Sequence, residues 1–359
     1  AIPVFNSIRG VLNSCRAALK PLTVAFGEFL GVTYDAQGNL TRTGGAVEKV
    51  CGFLDSLAEK IQGVDLSQLG TGGKVAAILP RGQGSAGKTR DCAGLMILPG
   101  LIDTQVHFRE PGLEHKEDLE SGSRAAVMGG VTAVFEMPNT NPNTDTADRV
   151  ADKLARAHHR MWCDHAFYVG ATAENAEHLG ELERIPGTAG VKIFMGASTG
   201  SLLVSEDADL ARVLAHGSRR VAIHAEDEAR MNARKDHRVE GDASSHPVWR
   251  DDESAMLATQ RILRLARAAK RPIHILHVTT PAELELIAQH RDVATCEVTP
   301  QHLTLRGEEA YPRLGTYAQM NPPIRSGAHV DGLWHWLRQG VPDVIGSDHA
   351  PHTIEEKAK

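Results

Sequence analysis

At 359 residues the chain is long enough for one large α/β barrel or two ordinary domains, and its mix of apolar and charged residues is that of a soluble globular protein. A formal net charge of -6, with both signs spread along the chain, supplies no basic stripe and argues against a nucleic-acid partner. Five cysteines, an odd number with no CxxC pair, exclude a disulfide framework and a thiolate zinc site as expectations and fit reduced thiols in a cytoplasm.

No apolar run approaches the roughly 18 residues of a membrane span, so none is expected. Residues 1–72 form an N-terminal segment of unclear fold. Arg9, Arg16 and Lys20 precede the first acid, Glu28, a composition shared with organelle transit peptides, but no cleavage pattern accompanies it. VEKVCGFLDSLAEKIQ has apolar residues at helical spacing, and KVAAIL, in the glycine-rich passage after it, reads as a strand. GQGSAGKT, residues 82–89, satisfies the phosphate-loop pattern GxxxxGK[ST]. That chemistry requires a helix directly after Lys88 and Thr89, whose amides hold the phosphates. The next residues are RDCAGLMILPG, turn and then strand, so a flexible turn is expected here.

Beyond residue 95 short apolar runs recur: LMILPGLIDTQVHF, VTAVFEMP, HAFYVGA, GVKIFMG, RVAIHAE, PIHILHV, VATCEVTP and DVIGSDHA. Between them lie segments such as HKEDLESGSRAAVMGG, ENAEHLGELER, ESAMLATQRILRLARAAK and PAELELIAQH, with helical apolar spacing. Continuous apolar strands alternating with helices imply a covered parallel sheet, and eight such units predict a (β/α)8 barrel of the TIM type; an open doubly wound sheet is the alternative.

In a parallel barrel the site gathers at the C-terminal strand ends. The first strand ends in Gln105 and His107, two apart and on one side; the second leads into MPNTNP with Asn139; later ends carry Lys192, His224, His277 and Asp348. Lys192, flanked by Val191, Ile193 and Phe194, should be poorly hydrated, which lowers its pKa and lets the free amine form. A free amine can add carbon dioxide to become a carbamate, a bridging carboxylate for two metals. Three histidines, an aspartate and such a lysine supply nitrogen and oxygen ligands for Zn²⁺ or a similar ion, and all 18 histidines lie at or after position 107.

From about Gly73 onward the motifs PGLIDTQVHFREPG, FEMPNTNP, VKIFMG, IHAED, LHVTT, EVTP, QMNPPIR and GSDHAPH resemble the amidohydrolase superfamily, and within it the class I dihydroorotases. The resemblance implies a metal-dependent hydrolase of cyclic amides, opening dihydroorotate to N-carbamoyl-L-aspartate in pyrimidine synthesis. It implies one or two Zn²⁺ ions, with Lys192 the carboxylated bridge, His224 and His277 on the more exposed ion, and His107 with Asp348 on the more buried one. It assigns Arg109 and His352 to the substrate carboxylate, and Asn139 and Asn321 to the rest of the ring. The chemistry of the residues agrees: Asp348 suits a base that then acts as acid, and Arg109 offers a planar fork to a carboxylate unless Glu110 or Glu114 claims it.

Three departures accompany the resemblance. Gln105 stands where the family has the first histidine of a His-x-His pair, so the buried metal position is expected to be loosened. The family's small β-rich flanking domain is represented only by a remnant over 73–94, with the barrel over 95–359. The chain ends at Lys359, just after the eighth strand, as though truncated there, and a homo-oligomer or a further segment is expected to cover the exposed strand. Rival readings are a hydantoinase- or allantoinase-like hydrolase, and a non-catalytic homologue serving aspartate transcarbamoylase as a structural partner.

Overall fold

The computed structural model describes residue 95, residues 98–197 and 202–358, and the backbone of 33–34 and 40–42. The chain divides into two compact units, Ala1–Pro99 and Gly100–Lys359. In the first, strands β1 (Thr33–Tyr34) and β2 (Leu40–Arg42) pair antiparallel. The helical spacing of VEKVCGFLDSLAEKIQ, the KVAAIL strand and the GQGSAGKT turn lie outside the described residues, as does the whole stretch, 73–94, assigned to a flanking-domain remnant.

The second unit holds β3 (Leu101–Val106), β4 (Val131–Glu136), β5 (Asp164–Gly170), β6 (Thr188–Phe194), β7 (Val221–His224), β8 (Ile273–Ile275), β9 (Ala294–Val298) and β10 (Val344–Ile345). Each of the eight runs found in the sequence yields one of these strands. They pair in parallel in sequence order, without the reversal that a doubly wound sheet requires. The two ends of the sheet meet through a single parallel bridge, Val106 to His349, and the amide of His107 donates to His349 O at 2.7 Å. The result is a nearly closed (β/α)8 barrel.

Alternation along the strands sorts their side chains. Val191, Ile193, Val221, Ile223, Ile273, Ile275, Cys296 and Val298 face outward into the main apolar core, against Leu210, Leu214, Ile262, Leu263, Leu284 and Ile287 of the covering helices. The opposite register, which includes Lys192, His224, His274 and Glu297, faces inward. Helix starts are set locally. Thr280 caps the Pro281–Ala288 helix in a capping box with Glu283, and Pro281 occupies its first turn, so the chain turns from β8 into helix within a few residues. Asp118 and Ser121 form the same device at the Leu119–Met128 helix. Among the described residues no helix is long and apolar enough to cross a membrane.

The FREPG and MPNTNP stretches interlock. Asn141 N donates to Pro111 O at 2.9 Å. Gly112 sits beside them at φ 87°, and a β-carbon there would lie 1.8 Å from Asn141 O, so only glycine permits this approach.

Candidate active site

A cavity of about 490 Å³ opens at the C-terminal strand ends. Its walls include Gln105, His107, Arg109, Lys192, His224, His277, Asn321, Asp348 and His352, so nine of the residues singled out in the sequence share one space. Asn139 is buried within the β4 loop and is not among the residues lining that cavity.

Two corners can be distinguished. In one, His224 Nε2 donates to Glu226 Oε2 at 2.9 Å, which fixes the tautomer and leaves Nδ1 facing His277 Nε2 at 3.0 Å. Glu226 is fully buried and paired with Arg250, whose Nη1 continues to Ala197 O at 2.9 Å. Arg250 and His224 together hold the Glu226 carboxyl well below the usual range against the penalty of burial. His277 Nδ1 is buried without a hydrogen-bond partner.

In the other corner Asp348 Oδ1 receives Gln105 Nε2 at 3.0 Å and His107 Nε2 at 3.1 Å. Gln105 Oε1 is buried and unpartnered. Burial lowers the pKa of His107, although contact with Asp348 opposes the shift. Lys192 acts electrostatically on both corners. It is fully buried, its Nζ has no hydrogen-bond partner, and it stands 4.5 Å from the Phe194 ring centroid. Burial pushes its pKa down to about 7 despite Asp348 and Glu297, so a substantial neutral fraction exists near neutrality.

Beneath the lysine lies a polar floor. Glu297 accepts from Thr104 Oγ1 at 3.0 Å and from His274 Nε2 at 3.3 Å. At the rim, Arg109 Nε donates to Pro351 O at 3.0 Å and its Nη2 to His352 Nε2 at 3.3 Å. Glu110 is taken by Arg160 and Arg156, and Glu114 by Arg156, so neither neighbouring acid neutralises Arg109 as the sequence alone allowed. Arg109, His277 and Asp348 have φ of 67°, 37° and 49°. Such left-handed backbone costs non-glycine residues about 1–3 kcal/mol each and is concentrated at functional sites.

The donor set is nitrogen and oxygen, as a zinc-type ion prefers. The His224–His277 pair, with one nitrogen tautomer fixed by a carboxylate, fits such an ion. The second corner fits less well, because the Gln105 amide donates to the carboxylate instead of offering it a partner ligand. Among the described residues no group of three or more His, Cys, Asp or Glu gathers as a metal cluster; the imidazoles and the acid fall into two pairs, His224 with His277 and His107 with Asp348. Sequence reading missed Glu226, Arg250, His246 and Glu297. The first of these lies inside the quoted IHAED motif, two residues past His224, where a carboxylate on the same side of the chain was a legible signal.

A sequence model of the amidohydrolase family matches residues 96–357. The dihydroorotase of Halobacterium salinarum is 39% identical over 270 residues, which is 74% of this chain and 62% of that protein. The dihydroorotase of Methanothermobacter thermautotrophicus is 35% identical over 80% of this chain and 64% of its own length. The chain thus spans less than two thirds of these curated relatives. Among solved structures, an L-hydantoinase (dihydropyrimidinase) from Arthrobacter aurescens superposes with a TM-score of 0.74 at 30% identity, over 80% of this chain and 66% of that one.

Proposed function

Because the chain belongs to the amidohydrolase family, we propose that it is a dihydroorotase, reversibly hydrolysing the cyclic amide of dihydroorotate to N-carbamoyl-L-aspartate. The observation that carries this reading is the Arg109–His352 pair, 3.3 Å apart on the wall that also holds Asp348. An anionic ring held there by its carboxylate presents its amide to Asp348. The dihydroorotase relatives support the same choice.

Within this reading Arg109 and His352 bind the substrate carboxylate, Asn321 bonds a ring oxygen, and Asn139 shapes the loop beside them. His224 and His277 would hold one divalent ion, Zn²⁺ by donor type; His107 and Asp348 would hold a second, loosened by Gln105. A divalent ion bound there supplies Lewis acidity, lowering the pKa of water and polarising the scissile carbonyl. Asp348 Oδ1 accepts the proton of the attacking water and returns it to the leaving ring nitrogen. Lys192 as a free amine adds carbon dioxide through its nitrogen lone pair and loses a proton, becoming the carboxylate that links the two corners. The setting is a cytoplasmic enzyme of pyrimidine synthesis, working as a homo-oligomer or beside aspartate transcarbamoylase.

Metal analysis together with carbamoyl-aspartate cyclisation tests this. Activity with bound metal is expected, and a folded sample with neither overturns the enzymatic reading in favour of a structural partner. Gln105→His should raise metal content from one ion towards two. A Lys192→Ala protein with full metal and activity would remove the carbamate. The hydantoinase structure favours a second reading, an uncharged hydantoin-like ring. Arg109→Ala separates the two, since it should abolish turnover of dihydroorotate and leave a hydantoin unaffected.

A further inference from the structure

The amide of Asn321 has two faces, one accepting and one donating hydrogen bonds, and which of them meets the cavity decides what ring edge the site takes. His246 settles the choice. Its Nε2 lies 3.1 Å from Met320 O and 3.1 Å from Asn321 Oδ1. A backbone carbonyl only accepts, so Nε2 must carry the proton and the Asn321 atom beside it must be an acceptor. With the imidazole N–H shared between two oxygens, the amide nitrogen of Asn321 is turned away and has no partner among the described residues.

His246 itself is held from behind. Its ring meets the Trp249 ring edge-on with centroids 5.5 Å apart, and its carbonyl accepts from Arg250 N at 3.1 Å. Arg250 is the same residue that pairs with Glu226, so the orientation of Asn321 and the tautomer of His224 rest on one short segment, His246 to Arg250, in which Arg250 is buried and His246 half-buried. Both His246 and Asn321 line the cavity.

We propose that His246 is a positioning residue that orients Asn321 so its amide N–H groups face the cavity, making this wall, like Arg109, a donor-only surface selective for a ring edge bearing a carbonyl or carboxylate oxygen. The proposal rests on the dihydroorotase reading for the identity of the ring, but not for the orientation. A ring placing an N–H or hydroxyl donor against the Asn321 amide nitrogen meets no acceptor there and binds more weakly.

Two measurements on the full chain judge it. In long-range ¹H–¹⁵N spectra near neutral pH, the His246 imidazole, assigned by its absence from His246→Gln, should be protonated at Nε2 and bare at Nδ1. The opposite tautomer overturns the proposal, whether or not the protein turns over dihydroorotate. Kinetically, His246→Phe should raise KM for dihydroorotate by about 10–100-fold with little change in kcat or metal content, since one oriented hydrogen bond is at stake. His246→Gln, whose amide can still donate, should restore KM to within a few fold. In an Asn321→Ala background, His246→Phe should add nothing further. An undiminished effect in that background means His246 acts through general packing, and the proposal fails. Wild-type protein inactive on dihydroorotate but carrying the Nε2–H tautomer would overturn the substrate assignment alone.

Discussion

The two corners of the cavity are built differently. The His224–His277 corner stands on β7 and just beyond β8, strands with every residue buried, and is backed by a buried Glu226–Arg250 ion pair. The Gln105–His107–Asp348 corner stands on the barrel seam, where β3 begins exposed, β10 is only two residues long, and one bridge joins them. There Asp103 Oδ1 substitutes for missing strand pairing, accepting from Ser347 N at 3.1 Å and Gln105 N at 3.2 Å. The first corner has a buried ion pair behind its imidazoles, whereas the second is stitched by hydrogen bonds to the Asp103 and Asp348 carboxylates. On the proposed function, the first corner should hold an ion more firmly than the second.

The largest test of this division is Asp348→Asn. Asparagine keeps the contact geometry but cannot take the water's proton, so kcat for ring opening should fall by about 10²–10⁴-fold. Metal bound at the histidine pair should persist, as measured by elemental analysis. Equal loss of metal and activity would mean that the corners are one cooperative site.

Next comes Glu226→Gln, aimed at the other corner. It leaves Arg250 buried without its counter-charge, a change worth about 3–5 kcal/mol of stability, read as a fall in the denaturation midpoint. It also loosens the His224 tautomer, and metal affinity by competition titration should drop about 10–100-fold. If affinity is unchanged in folded protein, the second layer supports the fold and not the ion.

How much of this was legible in the sequence depends on distance along the chain. Gln105 at the end of β3 and His107 just past it stand two residues apart, Lys192 sits conspicuously within an apolar run, and each barrel strand declared itself by its own composition, so fold and inward register could be read locally. Arg250 reaches Glu226 across 24 residues and His246 reaches Asn321 across 75. The segment between Asp227 and Asp251 has only short helical pieces and no sustained period. Nothing in the spacing of SHPVWRDD points to partners so far away. Asn139 shows the reverse case: a motif letter whose local turn was legible but whose side chain is not on the cavity wall.

A third test concerns pH. His302, buried behind the site, has its Nε2 3.0 Å from Pro322 O and its Nδ1 2.8 Å from Thr299 Oγ1, a fully used neutral tautomer. Burial lowers its pKa from 6.5 to about 4, against the pull of the Pro322 carbonyl. As pH falls, the unfolded chain therefore binds this proton first. The stabilisation is complete above about 6.5 and drains away down to about 4, for a total of about 3 kcal/mol. Denaturant midpoints across that window should decline, and His302→Gln should flatten the slope. A midpoint that rises on acidification would place the proton on the folded chain instead.

The smallest expected effect belongs to Thr104→Val, which probes whether the seam is tied to the rest of the barrel through its floor. Thr104 on β3 donates to Glu297 on β9 across the interior, and Glu297 keeps His274 as a second partner after the hydroxyl is lost. Valine matches the shape, so the change removes one hydrogen bond to a carboxylate, about 1.5 kcal/mol. Stability should fall by that amount while metal at the histidine pair stays the same. If activity falls much further than stability, the seam relies on Glu297 to keep Gln105 and His107 in register, and the two corners share a floor. If neither changes, the Asp103–Ser347 contacts hold the seam alone, and the corner containing Asp348 is free to shift without disturbing the other.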